Sequence, residues 1–272
     1  MIKIGIRAHD LGRFSAAEMA RTVRAAGFDG CQLVFAKALT EPIDFHDLLP
    51  VKAAFAETPI FMLGAYFNPV HPDESVRKAG IDSFKEHLYA AKTLGIPYVG
   101  TETGSLMGSP WGYLPANHRR ETFDALCGVI ADLVETAEQA DSYIAIEGAW
   151  AHVAYSPLLI RELLDRVQSP RLKVTVDLFN FLHLGNIGTR MEILEDCLRL
   201  FSEDIVIWHL KDFVVRDGQL KQVGLGQGEM DFPALLARIV RATPGAVLIF
   251  EGVTGSDIAP SLGLIRRLIT KE

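Results

Sequence analysis

Residues 143–148 read YIAIEG, residues 172–177 LKVTVD and residues 205–210 IVIWHL. Each run is apolar at nearly every position and carries one acid or imidazole at or next to its end: Glu147, Asp177 and His209. A strand with one face in water alternates apolar and polar residues, whereas a strand covered on both faces of a parallel sheet reads as a continuous apolar run. These three runs therefore read as strands of a parallel sheet, each with a polar residue at its C-terminal end. Amphipathic stretches at Pro157–Val167 and Thr189–Phe201 separate them and supply the crossover helices that parallel strands need.

The alternation continues in both directions. Further strands are read at Lys3–Arg7, Gly30–Val34, Ile60–Phe67, Tyr98–Thr103 and Ala246–Glu251, which makes eight. Helical patterns lie at Ser15–Ala26, Pro72–Leu94, Asn117–Ala140, Phe232–Arg241 and Ser256–Thr270, with a shorter one at Asp44–Glu57. Ser15 with Glu18 three residues on forms a capping box, and Gly27 and Gly95 stand as stops. Eight such units over about 250 residues predict an α/β fold, a (β/α)8 TIM barrel, more readily than an open doubly wound sheet. No Pro- or Gly-rich linker divides the chain, so residues 1–272 are expected to form a single domain.

Composition narrows the function. The 272 residues carry 27 Lys+Arg against 34 Asp+Glu, a net charge of −7 that argues against a nucleic-acid partner. Hydrophobic residues make up 49%, which is globular, yet no run is long enough to span a membrane. The start, MIKIGIR, is too charged and its apolar part too short for a signal peptide. Cys31, Cys127 and Cys197 are odd in number and far apart, which is no disulfide framework, and a cytoplasmic location is expected.

In a barrel, the residues that end the strands point into the mouth where active sites of this fold sit. The fourth to eighth strands end in Glu102, Glu147, Asp177, His209 and Glu251, with Lys211 the basic residue noted among them. Carboxylates converging at buried strand ends repel one another unless a cation compensates them. A divalent metal is the simplest remedy, and a mixed oxygen and nitrogen set suits Mn²⁺, Mg²⁺ or Co²⁺ better than the Cys-rich pattern of structural zinc.

The segments AIEG at 145–148, VTVD at 174–177, IWHLKD at 207–212 and IFEG at 249–252 occur in order on the expected strands. GLGQG at 224–228 and DFP at 231–233 follow between the last two of them. In these the chain resembles the xylose isomerase-like sugar phosphate isomerase/epimerase superfamily over essentially its whole length. That resemblance implies one divalent metal, Mn²⁺ first with Mg²⁺, Co²⁺ or Zn²⁺ as alternatives, on Glu147, Asp177, His209 and Glu251. It further implies that Glu147 and Glu251 exchange protons with a sugar or polyol substrate through a metal-bound enediolate, in a protein that can be a dimer or tetramer. Asn180 stands where many members have a His, and Lys211 and Asp212 stand where several epimerases carry Glu and Arg, with Arg216 farther on. His-Leu-Lys-Asp is more like the inosose-processing branch. The resemblance also implies a second reading, since the family contains dehydratases: a metal-dependent dehydratase (lyase) of an inosose- or dehydroshikimate-like substrate, its acid supplied by Lys211, His152 or His183. An abasic-site endonuclease, on a related fold, would need a histidine-rich cluster and a basic groove that this sequence lacks.

Other candidates carry two readings each. Glu102 binds substrate hydroxyls or pairs with Lys211; His9 lines the mouth or caps its floor. His152 and His183 contact substrate or are satisfied loop histidines. The segment 104–116, GSLMGSPWGYLPA, is long enough for a lid in which Trp111 stacks on a sugar or makes a subunit contact. Residues 213–228 contain a second long connection, in which Asp217-Gly218 predicts a hairpin turn that carries Arg216, a further substrate-binding candidate.

Overall fold

The computed structural model describes residues 2–108 and 111–270. Eight parallel strands close into a barrel in the order β1-β10-β7-β6-β5-β4-β3-β2. They are β1 (Lys3–Arg7), β2 (Gly30–Leu33), β3 (Ile60–Gly64), β4 (Tyr98–Glu102), β5 (Tyr143–Glu147), β6 (Leu172–Asp177), β7 (Ile205–Leu210) and β10 (Val247–Phe250). The two remaining strands, β8 (Asp212–Arg216) and β9 (Gln219–Val223), form an antiparallel hairpin after β7. Asp217 and Gly218, at φ +54° and +67°, make its two-residue turn, as the Asp-Gly pair predicts.

The helices around the barrel are α1 (Ala16–Ala25), α2 (Phe35–Ala38), α3 (Leu49–Ala54), α4 (Glu74–Leu94), α5 (Arg120–Gln139), α6 (Pro157–Val167), α7 (Arg190–Phe201), α8 (Phe232–Ala242) and α9 (Ile258–Ile269). Ser15 and Glu18 form the expected capping box, and Gly95 ends α4 in the left-handed conformation at φ +74°. Among the described residues no helix is long and apolar enough to cross a membrane.

Two of the differences from the sequence reading have plain local reasons. The expected helix over 44–57 shrinks to α3. Asp44 and Asp47 accept backbone N–H bonds from His46 and Leu49 in turns, and Pro50 sits in the first helical turn. The apolar run after Ile60 continues past Gly64, but there the chain leaves the ladder. Phe67 bonds the hydroxyl of Thr101 instead of a strand backbone.

Strand periodicity then decides what faces inward. Taking Glu147, Asp177, His209 and Glu251 as inward residues, the positions two earlier are Ala145, Thr175, Ile207 and Ile249, all at most 1% exposed. Met62, Ala145, Ile207 and Ile249 pack together as an apolar layer. Gly100 occupies the matching position on β4, where a Cβ would lie 2.5 Å from the Met62 sulfur. The floor of the mouth is thus closed by apolar packing, and the ring of polar residues stands directly above it. The three cysteines are free and buried, and burial pushes their thiols well above the usual range.

Candidate functional site

Glu147, Asp177 and His209 end β5, β6 and β7, and Glu251 follows β10. Each offers a ligand atom, and these four atoms all lie within 4.8 Å of one another. Their burial is severe: Glu147 is 2% exposed, Asp177 0% and His209 3%.

The set has its own supports. His209 Nε2 is 2.8 Å from Gln32 Oε1, and Gln32 Nε2 donates to the Tyr66 hydroxyl at 2.6 Å. That orientation makes Nε2 the protonated nitrogen and leaves Nδ1 facing Glu251 Oε2 at 2.8 Å and Glu147 Oε2 at 3.3 Å. Nδ1 has no well-aligned hydrogen bond despite those distances, and Asp177 Oδ2 is in the same position. Burial pushes the His209 imidazole down, but Glu147 and Glu251 override it and hold the imidazole up to about 10. The locus calls for positive charge. His209 Nδ1 and Asp177 Oδ2, two buried atoms of ligand type without a well-aligned hydrogen bond, are atoms a divalent cation would satisfy, so the residues fit one.

Protein cations surround the carboxylates. Lys211 Nζ lies 2.9 Å from Asp177 Oδ2, 2.7 Å from Glu251 Oε1 and 3.1 Å from Asn180 Oδ1. Arg7, at the end of β1, donates to Glu251 Oε1 at 2.6 Å and grips Asp10 through Nε and Nη2. Burial works against the Glu251 charge, yet Lys211, His209 and Arg7 hold its carboxyl well below the usual range. Burial also opposes the Lys211 ammonium, and Asp177, Glu251 and Glu147 outweigh it and raise it. For Asp177, burial wins over Lys211 and lifts the carboxyl to about 6. Glu147 Oε1 accepts from Asn180 Nδ2 at 2.7 Å, so the position that departs from the resemblance bridges Glu147 and Lys211.

Beside this cluster opens a cavity of about 400 Å³. Glu102, Glu251, Arg7 and Tyr66 line it, together with His9, Lys37, Trp111 and the apolar Val34 and Ala36. Glu102 does not pair with Lys211. Its Oε2 lies 3.2 Å from His152 Nδ1, and the His152 ring meets Trp111 edge-on with centroids 5.8 Å apart. Burial, with the charges of Glu147 and Glu251, raises the Glu102 carboxyl to about 8. Burial pushes His152 down to about 4 and, with Arg7, also lowers His9.

The remaining candidates are placed elsewhere. His183 stacks on Trp150 at 4.5 Å, and Trp150 stacks on Tyr113 at 4.7 Å; His183 does not line the cavity. Arg216 is exposed on the β8–β9 hairpin, also off the cavity lining. The long segment after β4 is pinned by Asn117, whose side chain bonds Ser105, Leu106, Gly112 and Ala151. Its aromatics divide: Trp111 faces the cavity and Tyr113 joins the Trp150 stack, while Ser109 and Pro110 lie outside the described residues. A wider groove between α7 and α8, lined by Arg199, Arg238 and Arg241, has no part in this cluster.

Sequence reading overlooked Arg7, Gln32 and Tyr66. Arg7 corrects the expectation that Lys211 is the basic residue at the strand ends. The missed signals are plain in retrospect: Gln32 is a lone polar residue inside an apolar run, and Arg7 terminates the first strand as the acids terminate theirs.

Fold and site define a (β/α)8 barrel with three carboxylates and one imidazole gathered at the C-terminal mouth. Residues 20–268 match the family described as xylose isomerase-like TIM barrel, and the chain belongs to that family. A comparison with curated protein sequences finds no significant match. Among solved structures the chain resembles a D-tagatose 3-epimerase-like protein at 18% identity and TM-score 0.77, covering 99% of this chain and 98% of that one. It also resembles the 3-keto-D-glucoside 4-epimerase of E. coli (17%, TM-score 0.74, 98% and 100% covered) and the IOLI protein with a bound zinc atom (18%, 0.74, 99% and 97%). At such identities the likeness is one of fold.

Proposed function

We propose that the protein is a divalent-metal-dependent isomerase or epimerase acting on a sugar, keto-sugar or related polyol. The observation that carries this reading is the convergence of four ligand atoms within 4.8 Å at the edge of a cavity walled by carboxyl and aromatic groups. Glu147, Asp177, His209 and Glu251 would hold the cation, with Mn²⁺, Mg²⁺, Co²⁺ and Zn²⁺ all compatible with the donor set. A bound cation supplies Lewis-acid charge beside the substrate's carbonyl and hydroxyl oxygens and so makes the neighbouring C–H more acidic.

The chain's own residues do the rest. Arg7 and Lys211 both contact Glu251 Oε1 and so fix the carboxylate of the one ligand that also lines the cavity. Trp111 and Tyr66 give the cavity aromatic faces against which the apolar side of a sugar ring can pack while water is excluded. The epimerase relatives support this substrate class, and the zinc-bearing relative supports a metal.

The dehydratase reading needs an acid on the leaving oxygen. Lys211 is occupied by three partners, His152 stands behind Glu102, and His183 is stacked on Trp150, so none of the three suits that role. The test is calorimetric titration with Mn²⁺, followed by NMR of the loaded protein with D-tagatose, D-fructose, L-ribulose and methyl 3-keto-D-glucoside. One ion per chain and an isomeric sugar product are expected. An enone absorbance would favour the dehydratase, and no ion bound would overturn the metal reading.

A further inference from the structure

The polar groups around the mouth are not evenly spread. Glu102, Glu147, Asp177 and Glu251 stand at or just past the ends of β4, β5, β6 and β10. Strands β1, β2 and β3 lie side by side in the ring and bring basic and donor groups to the cavity instead. Arg7 ends β1 and His9 follows it, Lys37 sits on α2 after β2, and Tyr66 follows β3. All four line the cavity. In the closed ring β2 stands four strands from β6 in either direction and β3 four from β7, so this wall lies across the mouth from the strands of Asp177 and His209.

Three of these four groups have donors to spare. Arg7 is committed to Glu251 and to Asp10, and Asp10 also accepts from the Gly252 N–H. Lys37 is exposed at the cavity, and its ammonium has no acidic partner among the described residues. The Tyr66 hydroxyl accepts from Gln32 Nε2 at 2.6 Å, while its own proton meets no acceptor among those residues. Neither ring nitrogen of His9 bonds to a described residue, and Nδ1 is buried without a partner. Burial and the Arg7 charge, with Lys37 adding to them, hold the His9 imidazole low, so it meets a ligand as a neutral N–H donor. Burial holds the Tyr66 hydroxyl well above its usual range, so it too keeps its proton. One uncommitted cation and two neutral donors thus share a wall. Charge then selects what they bind. A sugar hydroxyl can accept from these donors but leaves the Lys37 charge uncompensated, whereas an oxyanion accepts charge-assisted bonds roughly twice as strong. A phosphate monoester carries a charge of about −1.5 to −2 at neutral pH, more than one ammonium balances. A carboxylate carries one.

We propose that the β1–β3 side of the mouth binds a carboxylate of the substrate, through Lys37 with the Tyr66 hydroxyl and the His9 imidazole, and that the substrate is a keto-sugar acid. This rests on the isomerase/epimerase reading and names the substrate class within it. The acids across the mouth serve the reacting end of such a molecule, and the donor wall takes its charged end.

The experiment compares sugars that differ at C6 alone, by calorimetric titration into the Mn²⁺-loaded protein and NMR of any product. D-tagatose and D-fructose carry a hydroxymethyl there, D-tagaturonate and D-fructuronate a carboxylate, and the two 6-phosphates a phosphate. Wild type should bind the carboxylates at least about tenfold more tightly than the neutral sugars, and more tightly than the phosphates. Raising the salt from about 0.01 M to about 1 M should shrink the preference, because Lys37 is exposed and its charge is screened. K37M should erase most of the preference and K37R should keep most of it. Y66F, which keeps the ring and removes the donor, should lose a smaller part. Equal binding of carboxylate and hydroxymethyl sugars by wild type, tighter binding of the phosphates, or an undiminished preference in K37M would overturn the proposal. Turnover of the neutral sugars in that case leaves the isomerase reading standing. A loaded protein that neither binds nor converts any of these sugars would overturn both.

Discussion

Replacing Lys211 by Met tests how the site balances its own charge. The Lys211 ammonium is buried and bridges Asp177 at 2.9 Å and Glu251 at 2.7 Å. Removing one partner of a buried ion pair typically costs about 3–5 kcal/mol, because the other charge stays behind uncompensated. At roughly 2–4 °C per kcal/mol, K211M in EDTA should melt about 6–20 °C below wild type. Manganese should reverse much of that. Two unit charges about 4 Å apart interact by roughly 4 kcal/mol at the effective dielectric of such a site. Taking a fixed positive charge away from a cation-binding pocket should therefore tighten it by at least about tenfold, or about 1.4 kcal/mol. Differential scanning fluorimetry with EDTA and with MnCl₂, and Mn²⁺ titration calorimetry, measure the two effects. An EDTA melting point within about 2 °C of wild type, or weaker Mn²⁺ binding in K211M, would refute the reasoning.

W111A should raise KM by about 5- to 30-fold, the equivalent of roughly 1–2 kcal/mol of lost stacking, with Mn²⁺ affinity unchanged. Unchanged kinetics with an altered mass by light scattering would assign Trp111 to a subunit contact instead. Because Glu102 is raised from 4.5 to about 8, the folded protein keeps a proton that the unfolded chain has released between those values, so stability falls as pH rises through that window. Urea midpoints in EDTA should fall more steeply from about pH 5 to about pH 8 for wild type than for E102Q, and parallel slopes would show that Glu102 is not the group responsible.

The barrel was legible because its rule is local. Continuous apolar runs state that a strand is covered on both faces, and the fixed period of two puts every residue that shares parity with Glu147 or Asp177 on the inner wall. Ser15 with Glu18 and Gly95 gave the helix ends for the same reason, since a cap involves neighbours within one turn. The four candidate cation ligands follow from the same strand ends, once the cost of unpaired buried carboxylates is considered.

What remained hidden was which partner each side chain chooses. Arg7 meets Glu251 across 244 positions of chain and Gln32 meets His209 across 177, and both contacts exist because β1 closes on β10 and brings β2 within three strands of β7 across the mouth. Glu102 illustrates the same limit: strand position brings it to the mouth, but several cations and acids gather there at similar sequence distances. Closure sets it against His152 and across from Glu251, leaving Lys211 to Asp177. The sequence by itself determined the fold, the inner wall and the acids and imidazole of the ionisable ring, because these depend on local period and burial. Only the tertiary structure decided the pairing within that ring, because in a buried site charges a few ångströms apart compete for the same partners and distance alone settles the outcome.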